Sequence, residues 1–443
     1  MPTDPPGLDA ELPGTRPVRR REVFGYCMFD FANSSYTTLI STVAFSLYFR
    51  QAVVGPDHPN ADLLWSIAGV SAHLVLILTS PLLGAVADYS GRKKRFLLLT
   101  TVQTVTACAL LFIVHPGEVL LGIALYIVAT VGFEGGYIFY NAFLPEVSTP
   151  KTIGRISGWS WGTGFLGGMA ALLACSMLLR RELIDPVTRL VDPVAAGNYR
   201  LSFVVVAGFF ALFAVPTFAF LRETPSDRAS GSWMDYARIG VDRVRETVTH
   251  LRRYRETGKL VLAYLFYFGG IETVIKFSAI YATVTFGLSG AELFLLFVIT
   301  NIVAVPGTLA AGYLADRIGG RRAIALTLLL WIGLLLWGAL ATSKPAFWIM
   351  ACGIAIGMGS TQAIGRSFMA QITPASRQSE FFGYYVQAGR VGAILALLLF
   401  GVISSATGNQ RLAVLWLLPL FVAGLLLVWR IDQTAARDAV SEG

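Results

Sequence analysis

Two stretches of the chain share one pattern: GAVADYSGRKK at residues 84–94 and GYLADRIGGRR at residues 312–322. Each has a glycine, an aspartate four positions later, another glycine three positions further on, and a basic group at its end. The residues of interest are Gly84, Asp88, Gly91 and Arg92 in the first copy and Gly312, Asp316, Arg317 and Arg321 in the second. The copies lie 228 residues apart in a chain of 443 residues, which predicts an internal duplication.

A second set of matches supports the duplication. The glycines that align at a spacing of 225 residues are Gly132 with Gly357, Gly158 with Gly383, Gly164 with Gly389, and Gly167 with Gly392. Similar spacings at independent places predict two copies of a six-helix unit. Because six spans return the chain to its starting side, the copies keep one orientation and are related by an axis along the membrane normal.

The composition indicates a lipid environment rather than water. Hydrophobic residues make up 55% of the chain and charged residues 14%, whereas soluble domains carry about 25% charged residues. A spanning helix needs about 20 mostly apolar residues. Twelve segments predict an all-α integral membrane protein with twelve transmembrane helices in two pseudo-symmetric six-helix bundles: 23–49, 63–87, 95–115, 118–142, 155–179, 201–221, 260–284, 291–315, 322–342, 346–370, 380–405 and 411–430.

The distribution of basic residues sets the predicted orientation. Of the 35 Lys and Arg residues, 25 lie on the side of both termini, 7 on the opposite side and 3 within spans. Basic loops stay in the cytoplasm, so both termini are predicted to be cytoplasmic. The net charge of +8 arises from these loops and does not indicate nucleic-acid binding. Short tails and an excess of Arg over Lys favour a bacterial inner membrane.

The charged segment between spans 6 and 7 divides the chain. Residues 233–254 place apolar side chains among many arginines, which predicts an amphipathic helix on the cytoplasmic surface, with a flexible linker as the alternative. The predicted organisation is a cytoplasmic tail at 1–20, a six-helix bundle at 21–222, a cytoplasmic linker at 223–258, a second six-helix bundle at 259–432 and a cytoplasmic tail at 433–443.

The residues of the repeated loops suggest a mechanical role. Glycine lets two helices come into close contact. An aspartate at a helix end can pair with a basic residue or receive the N-terminus of a neighbouring helix. We therefore interpret the two loops as a latch that holds one conformation and is released in another. The alternative is that they are basic loops with turn glycines, which a second copy at the matching position argues against.

The two loops resemble the signature between helices 2 and 3, and between helices 8 and 9, of the major facilitator superfamily. The resemblance covers residues 21–432. It implies two six-helix bundles around a central cavity that opens alternately to the two sides of the membrane. The first copy departs from the pattern at Tyr89, where a basic residue is common.

A narrower resemblance rests on FDFANSSY at residues 29–36, QAIGRS at residues 362–367 and SEFFGYY at residues 379–385. Together they look like the vacuole-effluxer-like branch of the superfamily, whose yeast autophagy-related member is associated with amino-acid efflux. The resemblance implies secondary transport of a small solute such as an amino acid or a related metabolite.

Ionisable side chains inside the predicted spans need a reason, because a charge in hydrocarbon is unfavourable on every transfer scale. They are Asp30, Glu134, Glu272, Lys276, Arg366 and Arg390. Helical spacing places polar neighbours on the same faces: Asn33 and Tyr36 beside Asp30, Tyr137 and Asn141 beside Glu134, and Gln362 beside Arg366. Spans 1, 4, 7 and 10 carry all of these residues except Arg390, and these four spans line the cavity in the superfamily that the chain resembles.

We interpret these residues as a solute site with a proton route. The predicted proton-coupling residues are Asp30, Glu134 and Glu272, since carboxylates in a poorly solvated cavity can take up and release protons. The predicted substrate-binding residues are Asn33, Tyr36, Tyr137, Asn141, Lys276, Gln362 and Arg366. The alternatives are structural: a neutralised i,i+4 pair of Glu272 with Lys276, and a pairing of Asp30 with Arg366 or Arg390 that pins the halves together.

Span 5 contains a series of glycines, GWSWGTGFLGG at residues 158–168. The series predicts close helix packing at the interface between the two halves. We interpret Trp159 and Trp161 within it as packing residues, with stacking on a solute as the alternative.

The predicted function is secondary active transport by alternating access, coupled to protons. A broad-specificity drug or metabolite efflux pump of the same fold is the alternative, and a non-transporting membrane sensor is a third. Scattered histidines and the lack of metal, nucleotide or nucleophile motifs argue against an enzyme, a cofactor or a bound metal. The expected partners are a small-molecule substrate, a proton and the lipid bilayer, without nucleic acid, and we expect a monomer.

Overall fold

The computed structural model of the chain is built mainly of helices in the residues that it describes. It describes residues 18–55, 58, 61–181, 183–185, 188, 190–223, 254–288, 290–407 and 410–433. We number the twelve helical segments in these residues as follows: α1 Arg20–Ser35 with its continuation to Val54, α2 Ala61–Ser90, α3 Lys93–Leu110, α4 Val119–Ala142, α5 Ile153–Cys175, α6 Pro193–Phe220, α7 Arg255–Phe286, α8 Gly290–Ile318, α9 Gly320–Leu340, α10 Lys344–Gln371, α11 Gln378–Thr407, and α12 Gln410–Leu415 with Leu418–Trp429. We call the face at which α1 begins and α12 ends the terminal face, and the opposite face the distal face.

Segment α1 departs from α-helical geometry after Ser35. It continues as a π-helix over Tyr36–Val43, an α-helical turn over Ala44–Tyr48 and a second π-helix over Phe49–Val54. Short π-helical stretches are frequent at functional sites. The apolar pattern that predicted span 1 gave no sign of this irregularity.

Nine helices in the described residues are long and apolar enough to cross a membrane. A tenth candidate, α2, is bent by 45° between Ser80 and Leu82, where Pro81 interrupts the helical hydrogen bonding. The other two segments are α1, which is irregular, and α5, whose glycines and serines make it less apolar. The all-helical membrane architecture is confirmed, and each of the twelve predicted spans has a corresponding helical segment.

The helix ends agree with the predicted bounds within a few residues, except at α1, α3, α6 and α7. Helix α6 begins at Pro193 rather than at residue 201, because the Asp192 carboxylate caps it. That carboxylate accepts hydrogen bonds of 2.8 and 2.9 Å from the N–H groups of Val194 and Ala195. Asp as N-cap followed by Pro is a favoured helix start. The predicted surface helix at 233–254 lies outside the described residues, apart from residue 254. The last residues of the predicted linker, 255–258, belong to the start of α7.

The two halves of the chain have the same packing pattern. In the first half, α1 packs on α5 and α6, α4 packs on α2 and α3, and α3 packs on α6. The second half repeats these pairs as α7 on α11 and α12, α10 on α8 and α9, and α9 on α12. The duplication indicated by the signature loops is therefore present in the arrangement of the helices.

Two helices provide much of the contact between the halves. Helix α5 packs on α8 and α10 of the second half, and α11 packs on α2 and α4 of the first. Signature glycines lie at the closest approaches. A Cβ on Gly84 would overlap the carbonyl oxygen of Ser379, and a Cβ on Gly312 would lie 2.6 Å from that of Gly154. Both contacts lie near the terminal face, so the halves are held together there.

The prediction for the glycines of span 5 was wrong in part. Gly158 faces α8 of the other half, as expected, since the carbonyl oxygen of Thr308 lies 2.9 Å from the position of its missing Cβ. Gly164, Gly167 and Gly168 instead contact α1 of the same half. Glycine spacing indicates which face of a helix is closely packed, but the partner helix depends on the tertiary arrangement.

We expect Gly84→Ala to lower the melting temperature of the purified protein, because the added methyl group forces α2 and α11 apart. Overpacking of this kind destabilises by about 1–3 kcal/mol. The matched control is Gly69→Ala on the same helix, where no atom lies within 4 Å of the added methyl group. Thermal unfolding in detergent measures both variants, and equal melting temperatures would contradict the close contact.

Candidate solute and gating site

Each half of the protein places an aspartate against the first turn of a helix in the other half. The Asp316 carboxylate of α8 accepts hydrogen bonds from the backbone N–H groups of Gly154 and Arg155, at 2.7 and 2.8 Å. These two residues belong to the first turn of α5. The N–H groups of a first turn have no partner within the helix and carry the positive end of its dipole. Asp316 therefore caps α5 across the interface.

The equivalent aspartate, Asp88 of α2, makes the reciprocal contact. Its carboxylate accepts a hydrogen bond of 2.9 Å from the N–H group of Glu380, in the first turn of α11. Lys93 lies 3.6 Å from the Asp88 carboxylate and 3.3 Å from that of Glu146. The sequence left open whether the aspartate meets a basic residue or a helix N-terminus, and Asp88 meets both.

The other residues of the predicted latch have simpler surroundings. Gly91 has a φ of 58° and its counterpart Gly319 has a φ of 87°, a left-handed conformation that glycine adopts readily. Arg321 donates a hydrogen bond of 2.9 Å to a backbone carbonyl just after α12. The side chains of Arg92 and Arg317 are exposed at the terminal face. Of the signature residues, the aspartate and the first glycine of each copy are thus the ones that contact the other half.

A buried ion pair lies deeper in the bundle. The Arg366 guanidinium donates to the Asp30 carboxylate over 3.2 Å, and the two residues are only 3% and 2% exposed. Asp30 lies about 15 Å along α1 from the terminal face, at 1.5 Å per residue. Arg366 lies in the last two turns of α10. The pair connects the first half to the second, as in the structural alternative drawn from the sequence.

The hydrogen-bond and cation–π partners of Arg366 lie in the first half. Its guanidinium donates to the hydroxyl and carbonyl oxygens of Ser157 at 3.1 and 3.0 Å, and to the side-chain oxygen of Asn141 at 3.4 Å. The guanidinium carbon lies 5.5–5.8 Å from the centres of three aromatic rings, within the range of cation–π attraction. These rings belong to Tyr26, Tyr140 and Trp161. We predicted that Arg366 binds substrate, but in this conformation its guanidinium is bound by other side chains of the protein.

The Asp30 carboxylate has further partners within its own half. The Ser160 hydroxyl donates to it at 2.6 Å, and the hydroxyl oxygen of Ser160 lies next to that of Tyr140. The Tyr140 hydroxyl also donates to the carbonyl oxygen of Tyr26 at 3.0 Å, and the two tyrosine rings stack with their centres 4.3 Å apart. The position of Asp30 is thus fixed by helices α1, α4 and α5.

A second ion pair joins the halves nearer the middle of the bundle. Glu134 of α4 contacts Arg390 of α11, and Glu272 and Lys276 of α7 are close enough to Glu134 for electrostatic interaction. Lys276 is exposed and Glu272 is half-buried, although they lie about 26–32 Å along α7 from its start. We call these four residues the central cluster. Only Lys276 of the four is exposed, and it lies about 15 Å from the nearer end of α7. We interpret its exposure as contact with a water-filled cavity, because charged side chains inside a membrane span face such cavities or the bundle interior.

Two residues of this region were missed from the sequence. For Arg390 the alternatives were a salt bridge within the bundle, with Asp30 as the candidate partner, and contact with the substrate. Its actual partner, Glu134, was missed, because the pairing depends on the packing of α11 on α4. His73 of α2 lies within electrostatic range of Arg390 and Lys276, although the histidines are scattered along the chain. A charge inside a span requires a partner, and that signal was available for Arg390. No signal in the sequence related His73 to the cluster.

The remaining predicted substrate-binding residues lie on the facing helices. The side-chain oxygen of Asn33 accepts a hydrogen bond of 3.2 Å from the Tyr137 hydroxyl. Tyr36 is fully buried, and its hydroxyl is hydrogen-bonded to that of Thr130 at 2.8 Å. Gln362 is half-buried on α10. In this conformation Tyr36 packs within the first half, and the accessible charges are those of the central cluster.

Comparison with known proteins identifies the family. The sequence matches the family model described as "Vacuole effluxer Atg22 like" over residues 65–153 and 146–441, which together make up most of the chain. The chain belongs to this family. One relative of this Atg22-like protein is the "Uncharacterized MFS-type transporter YxiO" of Bacillus subtilis, with 28% identity across 93% of this chain and 95% of the relative. Another is "Autophagy-related protein 22-1" of Penicillium rubens, with 22% identity across 100% of this chain and 83% of the relative.

Solved structures share the fold of the Atg22-like protein. The proton:xylose symporter XylE matches with a TM-score of 0.70 and 14% identity, over 93% of this chain and 95% of its own. The human organic anion transporter MFSD10 matches with a TM-score of 0.71 and 16% identity, over 93% and 100% of the two chains. At these identities the likeness establishes the fold. The predicted major facilitator fold is confirmed, and together with the relatives it identifies a transporter rather than an enzyme.

We expect Asp30→Asn and Arg366→Gln each to lower thermal stability, because either change leaves a buried charge without its partner, at a cost of about 3–5 kcal/mol. The double variant should lose clearly less stability than the two single variants lose together, since neither buried charge then remains. Arg181→Gln, which breaks the pair of Arg181 with Asp192 at the distal face, should change stability little. Unfolding of all four variants measures the coupling, and additive losses would argue against the pair.

Proposed function

We propose that this Atg22-like transporter moves an amino acid or a related small metabolite by alternating access, coupled to a proton. The observation that supports this most strongly is the central cluster. Its four ionisable side chains come from both halves and meet far from either face. Charges at such a depth are retained in membrane proteins mainly where they act on a solute or an ion.

The central cluster has the charges that a zwitterion requires. Lys276 and Arg390 can bind a carboxylate, which a guanidinium group holds with two parallel hydrogen bonds. Glu272 can receive an ammonium group. A zwitterionic solute therefore matches both signs and leaves no buried charge uncompensated. A broad-specificity pump for apolar compounds would need a mainly apolar and aromatic pocket, so the cluster favours the amino-acid type of solute.

We assign the coupled proton to Glu134, whose carboxylate pairs with Arg390 of the other half. Protonation of Glu134 removes the negative charge of its carboxylate, and its ion pair with Arg390 is lost. Arg390 is then available to the carboxylate of the solute, and the contact between α4 and α11 is weakened. Protonation is thereby linked to relative movement of the two halves. Asp30 is a second candidate, because its protonation would release Arg366 in the same way.

The described conformation is closed at the terminal face. The aspartate caps, the glycine contacts and the pair of Asp30 with Arg366 all lie toward that face, whereas Lys276 is accessible. Because basic loops are concentrated at the terminal face, we assign it to the cytoplasm. The conformation is then outward-facing, and the signature latch is the part that must open for release to the cytoplasm.

Transport assays in proteoliposomes test the coupling. The purified protein is supplied with a panel of labelled amino acids, with and without a pH gradient. We expect Glu134→Gln to abolish stimulation of uptake by the gradient and to leave solute exchange largely intact, because Gln keeps the shape of Glu but cannot carry the proton. Glu118→Gln, at the start of the same helix and exposed at the distal face, is the matched control and should keep the stimulation.

Two results would contradict the proposal separately. Gradient-driven accumulation by the Glu134→Gln variant at the rate of the unmodified protein would remove the proton assignment. Uptake of no amino acid in the panel by the unmodified protein would remove the assignment of the solute.

A further inference from the structure

The groups that contact the Arg366 guanidinium by hydrogen bonds and cation–π contacts form a cation-binding site on the first half. We call it the socket, and it consists of Tyr26, Asp30, Tyr140, Asn141, Ser157 and Trp161. In the part of the chain that the structure describes, the hydrogen bonds donated by Arg366 all end on socket residues. Arg366 itself is carried by α10 of the second half. The two partners must therefore separate when the halves separate at this level.

Several contacts that hold socket residues in place do not involve Arg366. Asp30 is held by the Ser160 hydroxyl. The rings of Tyr26 and Tyr140 stack, and the Tyr140 hydroxyl donates to the backbone carbonyl oxygen of Tyr26. The helices that carry these residues pack extensively on one another, above all α1 on α5. We expect these helices to move as one unit when the second half moves away. An opening at the terminal face thus leaves a preformed socket from which the guanidinium has been withdrawn.

The vacated socket has the composition of a site for an organic cation. It contains one carboxylate, on Asp30, together with the carbonyl oxygen of Ser157, the amide oxygen of Asn141 and three aromatic ring faces. Ring faces attract cations, and a planar guanidinium can stack on them while donating hydrogen bonds in its plane. A buried carboxylate left without a positive partner is strongly unfavourable. The socket therefore requires either a proton on Asp30 or a replacement cation.

We propose that the socket binds the guanidinium group of a solute in place of Arg366 when the terminal face is open. Arg366 is then an internal occupant that the solute replaces. One set of side chains closes the terminal face in the first state and holds a cationic solute in the second. The inference rests on the alternating access proposed above, and it adds to the central cluster a second site nearer the terminal face.

The test uses Arg366→Ala, which empties the socket by removing the internal guanidinium. Methylguanidinium chloride is added to the purified full-length variant in detergent, and thermal unfolding is followed. We expect a saturable rise in melting temperature of at least about 3 °C, because a ligand that binds only the folded state stabilises it. Methylammonium, a compact and more strongly hydrated ion, should act more weakly. Sodium chloride at equal concentration should have no comparable effect.

Asp30→Asn combined with Arg366→Ala is the matched control, because it keeps the emptied space but removes the carboxylate, and it should lose the response. Equal effects of methylguanidinium and sodium would overturn the proposal, as would a response that survives in this double variant. An equal effect of methylammonium would overturn the assignment to a guanidinium group. Because the experiment measures binding and not transport, its failure would leave the transport proposal standing. A protein that transports no amino acid could still bind methylguanidinium in the socket.

If Arg366→Ala does not yield folded protein, a chain that keeps both Asp30 and Arg366 provides the test. Spin labels at residues 95 and 322, which are exposed on α3 and α9 at the terminal face, report the distance between the halves. Methylguanidinium should compete with Arg366 and increase the population with the longer distance. A distance distribution unchanged by methylguanidinium, relative to sodium chloride, would overturn the proposal.

Discussion

Each half of this protein is held to the other by a carboxylate that caps a helix to which it does not belong. Asp88 receives an N–H group of α11, and Asp316 receives two N–H groups of α5. These are the helices through which each half contacts two helices of the other. A first turn has unsatisfied N–H groups and a partial positive charge, and a carboxylate compensates both. The stabilisation is lost once the halves part, so the capping contacts favour one closed arrangement.

The helices of the two halves have the same arrangement, but the charged side chains inside their spans lie at different positions. Gly164 packs on Asp30, whereas its counterpart Gly389 packs on Tyr264, so an aromatic residue takes the place of the acid in the second half. Arg366 aligns with Asn141, to which it donates a hydrogen bond. One half thus supplies the acid and the other the base. The ion pair exists only while the two meet, and for this reason a proton or a cation that neutralises Asp30 acts directly on the contact between the halves.

The architecture was predictable because it leaves local signals: long apolar segments, basic loops on one side, and two signature loops at matching positions. Asp30, Glu134 and Arg366 were identifiable because any charge inside a span stands out. The sequence offered Arg366 and Arg390 as partners for Asp30 but not the choice between them, and the pairing of Arg390 with Glu134 shows why. It depends on the rotation of separate helices, which only the packing of the whole bundle sets. The π-helix over Tyr36–Val43 was missed because its residues fit an ordinary apolar span.

The claim that the aspartate caps hold the terminal face closed is tested most directly by distances between spin labels at both faces. Labels at residues 95 and 322 report the terminal face, and labels at 115 and 343 report the distal face, since all four side chains are exposed there. With Asp88→Asn and Asp316→Asn combined, we expect the first distance to lengthen and the second to shorten. Unchanged distance distributions at both faces would contradict the claim.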